Sequence, residues 1–239
     1  MLNICGGFLF GQQILRSESG KASLFTFANY PDMLYKCTEG VMSLEKKLII
    51  VVSPPACGKT YVSKQLAKRL CHVVYLDKDT LIPLSKQIFA VAGEPYDRSS
   101  DFFEENIRNY EYDCILALAF EALDYDDIVL INAPFSREIR NAEYIKDLRA
   151  RLSEKGARLV SVWVETSPEI VHERMIKRNS DRDTWKLANW DEYIAGCNFS
   201  VPKELDDPSD KGDFIVFKNN NDEEFEESMK RCLEILENG

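Results

Sequence analysis

Histidine is nearly missing from this chain: among 239 residues only His72 and His172 are histidine. Histidine-built metal centres and Ser-His-Asp hydrolysis therefore have almost no support. His172 falls in a predicted helix, where a packed or solvated ring is the ordinary outcome. Paired cysteines are missing as well. The seven cysteines stand at 5, 37, 57, 71, 114, 197 and 232 with no Cys-x-x-Cys, which argues against a zinc site or disulfide frame and for reduced thiols in a cytoplasmic protein. No apolar run approaches the length of a membrane span. The N-terminus lacks the basic-then-apolar order and small-residue cleavage site of a signal peptide. Positive charge is scarce: 30 Lys and Arg stand against 40 Asp and Glu, a formal charge of −10. Polymeric nucleic acid, which normally needs a basic face, is argued against. There is no internal repeat, and the polar run 219–227 is the one low-complexity tract.

What is present fits a globular α/β protein. Hydrophobic residues make up 45% and charged residues 29%, and the length suffices for one domain with a buried core. From residue 47 strand-like and helix-like segments alternate, the pattern of a parallel sheet with helices on both faces. Strands are predicted over 47–52, 73–76, 127–132, 158–165 and 213–218. Helices are predicted over 59–70, 80–91, 101–123, 138–155, from 166–169 onward, and over 221–237. Asp101 with Glu104 reads as a capping box, Gly156 as a stop, and Ser167-Pro168 as a cap followed by an early proline. Residues 1–41 lack sustained periodicity and read as an N-terminal extension, with residues 42–239 forming the domain.

The richest segment is Ser53-Pro54-Pro55-Ala56-Cys57-Gly58-Lys59-Thr60. It follows the apolar run 48–52 and precedes a helical pattern, so strand, loop, Gly-Lys-Thr and helix describe a P-loop. The turn aims backbone amides at the β-phosphate, Lys59 reaches the β/γ oxygens and the Thr60 hydroxyl ligates Mg²⁺. Ser53 stands where the full pattern has glycine, and Ala56 where many such loops carry another; both are small. Residues Ser53 to Thr60, with Tyr61, are the candidate nucleotide contacts.

Ligands collect at the carboxyl ends of strands in open α/β sheets, and three polar groups are placed there. Besides the P-loop these are Asp77 and Asp79 after strand two, and Asn132 ending strand three. An aspartate beside the γ-phosphate can accept the proton of an attacking hydroxyl; Asp79 is the first choice, with Asp77 behind it, and helix capping is the plain alternative for either. Asn132 stands where a Walker B strand usually ends in aspartate, and with Thr60 it is the candidate metal-site residue, ordering a magnesium-bound water. Arg174, Arg178, Arg182 and Lys186 recur every four residues. On one continuous helix they would form a repulsive stripe without a counter-ion; a triphosphate would serve, with Asn179-Ser180 as the hinge of a lid. The alternative is a solvated face paired with Glu169, Glu173 and Asp183. Arg108, Tyr110 and Tyr112 are weaker candidates for the border of an acceptor pocket.

With these residues in hand, the chain resembles the P-loop kinase families that include polynucleotide 5′-kinases, zeta toxins and chloramphenicol phosphotransferases. The resemblance runs over about residues 46–220 through four motifs: 53–60, Asp77-Lys78-Asp79, Ile131-Asn132-Ala133-Pro134, and 177–182. It implies a P-loop NTPase fold with about five parallel strands sandwiched by helices and a helical arginine lid. It further implies Mg·ATP as donor, a hydroxyl acceptor, Asp79 or Asp77 as base, and Arg178 and Arg182 as lid arginines. Where many relatives carry an arginine shortly after the acidic motif, residues 80–84 offer none, so the acceptor does not transfer. The expected function is an ATP-dependent kinase of a small hydroxyl-bearing molecule. The alternatives are a nucleotide-binding switch or ATPase and a 5′-hydroxyl polynucleotide kinase. A ring-forming AAA ATPase is disfavoured because no second helical domain follows the α/β unit, and no obligate protein partner is implied.

Overall fold

Runs of branched apolar residues too short for helices become the strands of one sheet. The protein is described by a computed structural model over residues 45–180, 183–205 and 213–238. The expected extension, residues 1–41, and the lid residue Arg182 lie outside the described residues. The strands are β1 (Lys46–Val52), β2 (Val73–Asp77), β3 (Ile128–Asn132), β4 (Ala157–Glu165) and β5 (Phe214–Lys218). All neighbours pair in parallel, in the order β2-β3-β1-β4-β5. Parallel neighbours need crossovers, and the crossovers are helices that cover both faces.

Alternation along β1 divides the core. Leu48, Ile50 and Val52 pack against α4 (Arg108–Ala122) and α5 (Ala142–Glu154). Ile49 and Val51 face the other way, towards α1 (Lys59–Arg69), α6 (Pro168–Arg178) and α9 (Asp222–Asn238). The two lysines that open β1 obey the same alternation. Lys46 Nζ donates to Leu123 O at the end of α4, and Lys47 Nζ to Leu236 O near the end of α9. Each thus satisfies an orphan carbonyl at a helix C-terminus, where positive charge is favoured. Burial holds the Lys47 ammonium below its ordinary pKa, with Arg158 adding to the effect. A small satellite core of Phe89, Phe103 and Ile107 lies under α2 (Ile82–Ala92) and α3 (Asp101–Asn106).

The helix expected over 101–123 is two helices. The backbone departs from helical geometry at Ile107 (φ −127°), which separates α3 from α4. Ser100, not Asp101, is the cap: its hydroxyl accepts from Phe103 N, and Asp101 enters the first turn. The expected 138–155 helix likewise starts late, as a short 3₁₀ turn over Glu138–Arg140 and then α5, capped by Asn141. Ser167 and Pro168 do begin α6, and Asn179, left-handed at φ 45°, ends it. Two short helices follow, α7 (Thr184–Ala188) and α8 (Trp190–Gly196). No helix among the described residues is long and apolar enough to cross a membrane.

Candidate nucleotide and phosphoryl-transfer site

Because every strand runs the same way, all five carboxyl ends open on one side of the sheet. The loop after β1 turns there through two left-handed residues, Ala56 (φ 62°) and Gly58 (φ 89°). Glycine at 58 is required twice over: the dihedral suits it, and a Cβ would lie 2.4 Å from Asn219 Nδ2. Helix α1 then starts with no side-chain cap and no acidic residue in its first turn. Its leading amides and the positive end of its dipole are left for an anion.

The loop is held from behind by its Cys57 carbonyl. That oxygen accepts from Thr166 Oγ1 (3.0 Å), Arg174 Nη1 (3.3 Å) and Asn219 Nδ2 (2.7 Å). Arg174 Nη2 also donates to Asn219 O at 2.7 Å. Arg174 therefore grips the P-loop backbone and the chain just after β5, while still lining the cavity described below. Thr166 and Asn219 were missed from sequence; each follows directly on a strand, β4 or β5, at the carboxyl edge. Burial pushes the Cys57 thiol up to about 12, so it is a packed, protonated side chain.

A second network joins β2, β3 and α1. Lys59 Nζ donates to Asn132 Oδ1 at 2.8 Å, and Ser63 Oγ approaches the same oxygen at 3.3 Å. Asn132 Nδ2 donates to Asp77 Oδ2 (2.9 Å) and to Thr60 Oγ1 (3.3 Å). Asp77 also accepts from Tyr75 OH and, as cap of the following turn, from Asp79 N, both at 3.0 Å. Asn132 thus presents its NH₂ to Thr60, and the negative charge that a Walker B aspartate would supply stands one residue further out, on Asp77. Asp79 is different: it is exposed and lines the main cavity.

That cavity, about 1040 Å³, is bordered by residues 53–56 and 58–61, Asp79, Arg174 and Arg178. Cys57 alone of the P-loop candidates is turned away, buried beneath the loop. Arg178 donates through Nε (2.8 Å) and Nη2 (2.5 Å) to Asp183 Oδ2, and Lys186 Nζ lies 3.5 Å from Asp183 Oδ1. Helix α6 ends at Asn179, and Asp183 pairs with Arg178 and Lys186, the acidic pairing weighed as the alternative for these residues.

The cavity lining also holds groups to which no role was assigned from sequence: Lys78, within the acidic motif, and Arg98, Ser136, Arg140 and Trp163. Lys78 (2.5 Å), Arg98 (2.7 Å twice) and Ser85 (2.5 Å) all bond the buried Glu111 carboxylate. Burial alone would raise that carboxyl, but the hydrogen bonds from Arg98, Lys78 and Ser85 hold it down at about 2. Arg98 thus brings a guanidinium to the region that residues 80–84 leave without one, from a loop too distant in sequence for motif spacing to reveal. The weaker pocket candidates are corrected. Arg108 pairs with Glu138 (2.8 Å), the Tyr112 hydroxyl accepts from Phe135 N, and Tyr110 is exposed; none borders the cavity. Their helical spacing put Arg108 and Tyr112 into the packing of α4.

A second cavity of about 690 Å³ adjoins the P-loop on the β5 side, lined by Gly58, Tyr61, Arg174, residues 219–222 and Phe225. The Tyr61 and Phe225 rings stand 5.3 Å apart at its edge. As for a metal, the described residues contain no cluster of three or more His, Cys, Asp or Glu fit to hold an ion alone. The Thr60 hydroxyl with the Asn132–Asp77 pair behind it nevertheless suits magnesium, which takes few protein ligands and completes its shell with phosphate oxygens and water.

The family model described as an AAA domain matches residues 48–199. Among solved structures, a Chloroflexus aurantiacus protein provisionally described as a kinase is 19% identical, with 82% of this chain and 99% of that one covered, at a TM-score of 0.50. A gluconokinase from Sinorhizobium meliloti 1021 is 16% identical (82% and 95% covered, TM-score 0.47). A shikimate kinase from Bacteroides thetaiotaomicron is 13% identical (80% and 98%, TM-score 0.44). No curated protein matches. The match extends over one α/β unit and carries no statement about a ring assembly. P-loop, parallel sheet order and family match agree, and the chain belongs to the AAA domain family, with the P-loop kinase-like fold.

Proposed function

We propose that this protein is an ATP-dependent phosphotransferase, moving the γ-phosphoryl group of Mg·ATP to a hydroxyl of a small molecule in the cytoplasm. One observation carries the reading: the exposed Asp79 carboxylate lines the same cavity as Gly58, Lys59 and Thr60. Base and phosphate cradle therefore share one space, whereas Asp77 is occupied by three donors. In this reading Asp79 takes the acceptor proton while the acceptor oxygen bonds the γ-phosphorus, and the bond to the β–γ bridging oxygen breaks to leave ADP. Lys59 and the amides of residues 56–60 stabilise the charge on the phosphoryl oxygens. Arg178, released from Asp183, closes over them, with Arg182 from the adjoining segment, and Arg174 keeps the loop in shape. The second cavity receives the base and ribose, against Tyr61. Thr60 would hold magnesium, with Asn132 and Asp77 behind it; the ion when bound neutralises phosphate charge.

The experiment is to incubate the protein with Mg²⁺, γ-labelled ATP and a metabolite extract, and separate the labelled products. A discrete labelled small molecule is expected, and Lys59→Ala should abolish it while the far-UV spectrum stays folded. Label found only as inorganic phosphate would favour an ATPase switch, the reading suggested by the asparagine at 132. Label on 5′-hydroxyl oligonucleotides would favour the polynucleotide kinase.

A further inference from the structure

No described residue hydrogen-bonds the Asp79 carboxylate, so the place of this group in the cavity is set by its backbone. That backbone belongs to the 3₁₀ turn Lys78–Leu81, and two bonds give the turn its shape. Asp79 N donates to Asp77 Oδ1, and Ile82 N to Asp79 O. Asp77 ties the turn to the strand that it leaves. Lys78 ties it to helix α4. Lys78 is 5% exposed, its Nζ donates to Glu111 Oε2 at 2.5 Å, and it lies 5.3 Å from the centre of the Tyr112 ring. Glu111 is the one hydrogen-bond partner of this ammonium among the described residues.

The other end of this tie is itself held in place. Glu111 is 4% exposed, on a helix whose Tyr112, Ile115, Leu116 and Ala119 are buried in the core. Arg98 grips its carboxylate as a fork, Nη1 to Oε1 and Nη2 to Oε2, and Ser85 Oγ donates to Oε1. Two residues therefore orient the carboxylate before Lys78 reaches it. Stability alone does not call for this arrangement, since a buried ion pair is often no better than an apolar pair of similar volume. What it supplies is a fixed distance between α4 and the turn, set by a lysine stem with a charge-assisted bond at its end. A catalytic group displaced by about 1 Å can lose about a hundredfold in rate. The residue next to Lys78 is the candidate base.

We infer that Lys78 and Glu111 are positioning residues for phosphoryl transfer: their pair pins the turn to α4 and so holds the Asp79 carboxylate where it meets the acceptor hydroxyl. The inference rests on the kinase reading above and adds two residues to the same site. Neither residue takes or gives a proton in the reaction; both act through Asp79.

The test measures label transfer from Mg²⁺ and γ-labelled ATP to a fixed amount of metabolite extract, over a range of ATP, with the full chain. Lys78→Met is the first variant, because Glu111 keeps Arg98 and Ser85 and no buried charge is orphaned. Each variant is assayed below its own unfolding temperature. Lys78→Met should lower kcat about ten- to hundredfold, leave the KM for ATP within about twofold and keep the thermal stabilisation by Mg·ATP. Lys78→Arg, which can still reach Glu111, should recover part of the rate. In an Asp79→Asn background, Lys78→Met should cost less than about threefold more, since no base is left to position. Glu111→Gln should reproduce the loss and add little to Lys78→Met. An unchanged kcat, a KM for ATP that rises in step, or the same loss with and without the Asp79 carboxylate overturns the positioning role and leaves the kinase standing. No labelled product from the wild type overturns the kinase reading and this inference with it.

Discussion

Asp79 and Asp77 are two residues apart and chemically identical, yet their surroundings give them different capacities. Asp77 accepts three hydrogen bonds and caps a turn, while Asp79 is open to the cavity. If Asp79 is the base, Asp79→Asn should lower kcat by roughly 10²–10⁴ with little change in the KM for ATP, since a base acts in the transition state. Steady-state kinetics in both substrates reads this, and equal losses in kcat and ATP affinity would assign Asp79 a structural or metal-site role. Gly58 permits a second prediction. Gly58→Ala places a Cβ at a left-handed position and against Asn219, so urea unfolding should show a loss of at least about 1–3 kcal/mol from backbone strain. Nucleotide affinity should fall with it, because Asn219 also holds the Cys57 carbonyl.

At the scale of elements, the turn after β2, helix α2 and helix α4 meet at Glu111, whose carboxylate joins Lys78, Ser85 and Arg98. Glu111→Gln leaves the buried Lys78 ammonium without its counter-charge and should cost about 3–5 kcal/mol. The sign of the pH effect follows from the lowered carboxyl. Its contribution is complete above the ordinary value of 4.5 and is lost as pH falls towards about 2. The gap in urea midpoint between wild type and Glu111→Gln should therefore be smaller at about pH 3.5 than at pH 7. This cluster was not legible in sequence. Lys78, Arg98 and Glu111 lie on different elements, and no local period links them. The strands were legible, because residues 48–52 and 128–131 are apolar on both faces. The break at Ile107 was not, since nothing at 106–108 is a helix breaker; Ile107 is buried in one cluster with Phe89 and Phe103, a contact that no local pattern reveals.

The whole molecule brings the carboxyl ends of the strands together on one side, so ligand binding should be coupled to global stability. At free Mg·ATP about a hundred times Kd the folded state should gain about 2.7 kcal/mol. Thermal unfolding measures this, and Lys59→Ala should lose the gain. Among the described residues, a chain of net charge −10 gathers seven cations around one cavity, a placement made by folding and not by composition.

The sequence by itself determined the class of fold and the position of the phosphate cradle. Apolar period, helix caps and Gly-Lys-Thr are local signals whose physics acts within a few residues. Tertiary structure alone decided that Asp77 is occupied and Asp79 open, that Arg174 grips the loop, and that Asp183 pairs with Arg178. It also decided that Arg98, Arg140 and Trp163 share the wall of the cavity. Those pairings join residues from 5 to more than 100 positions apart in the chain, and they exist only once the crossovers have brought the strand ends to one side of the sheet.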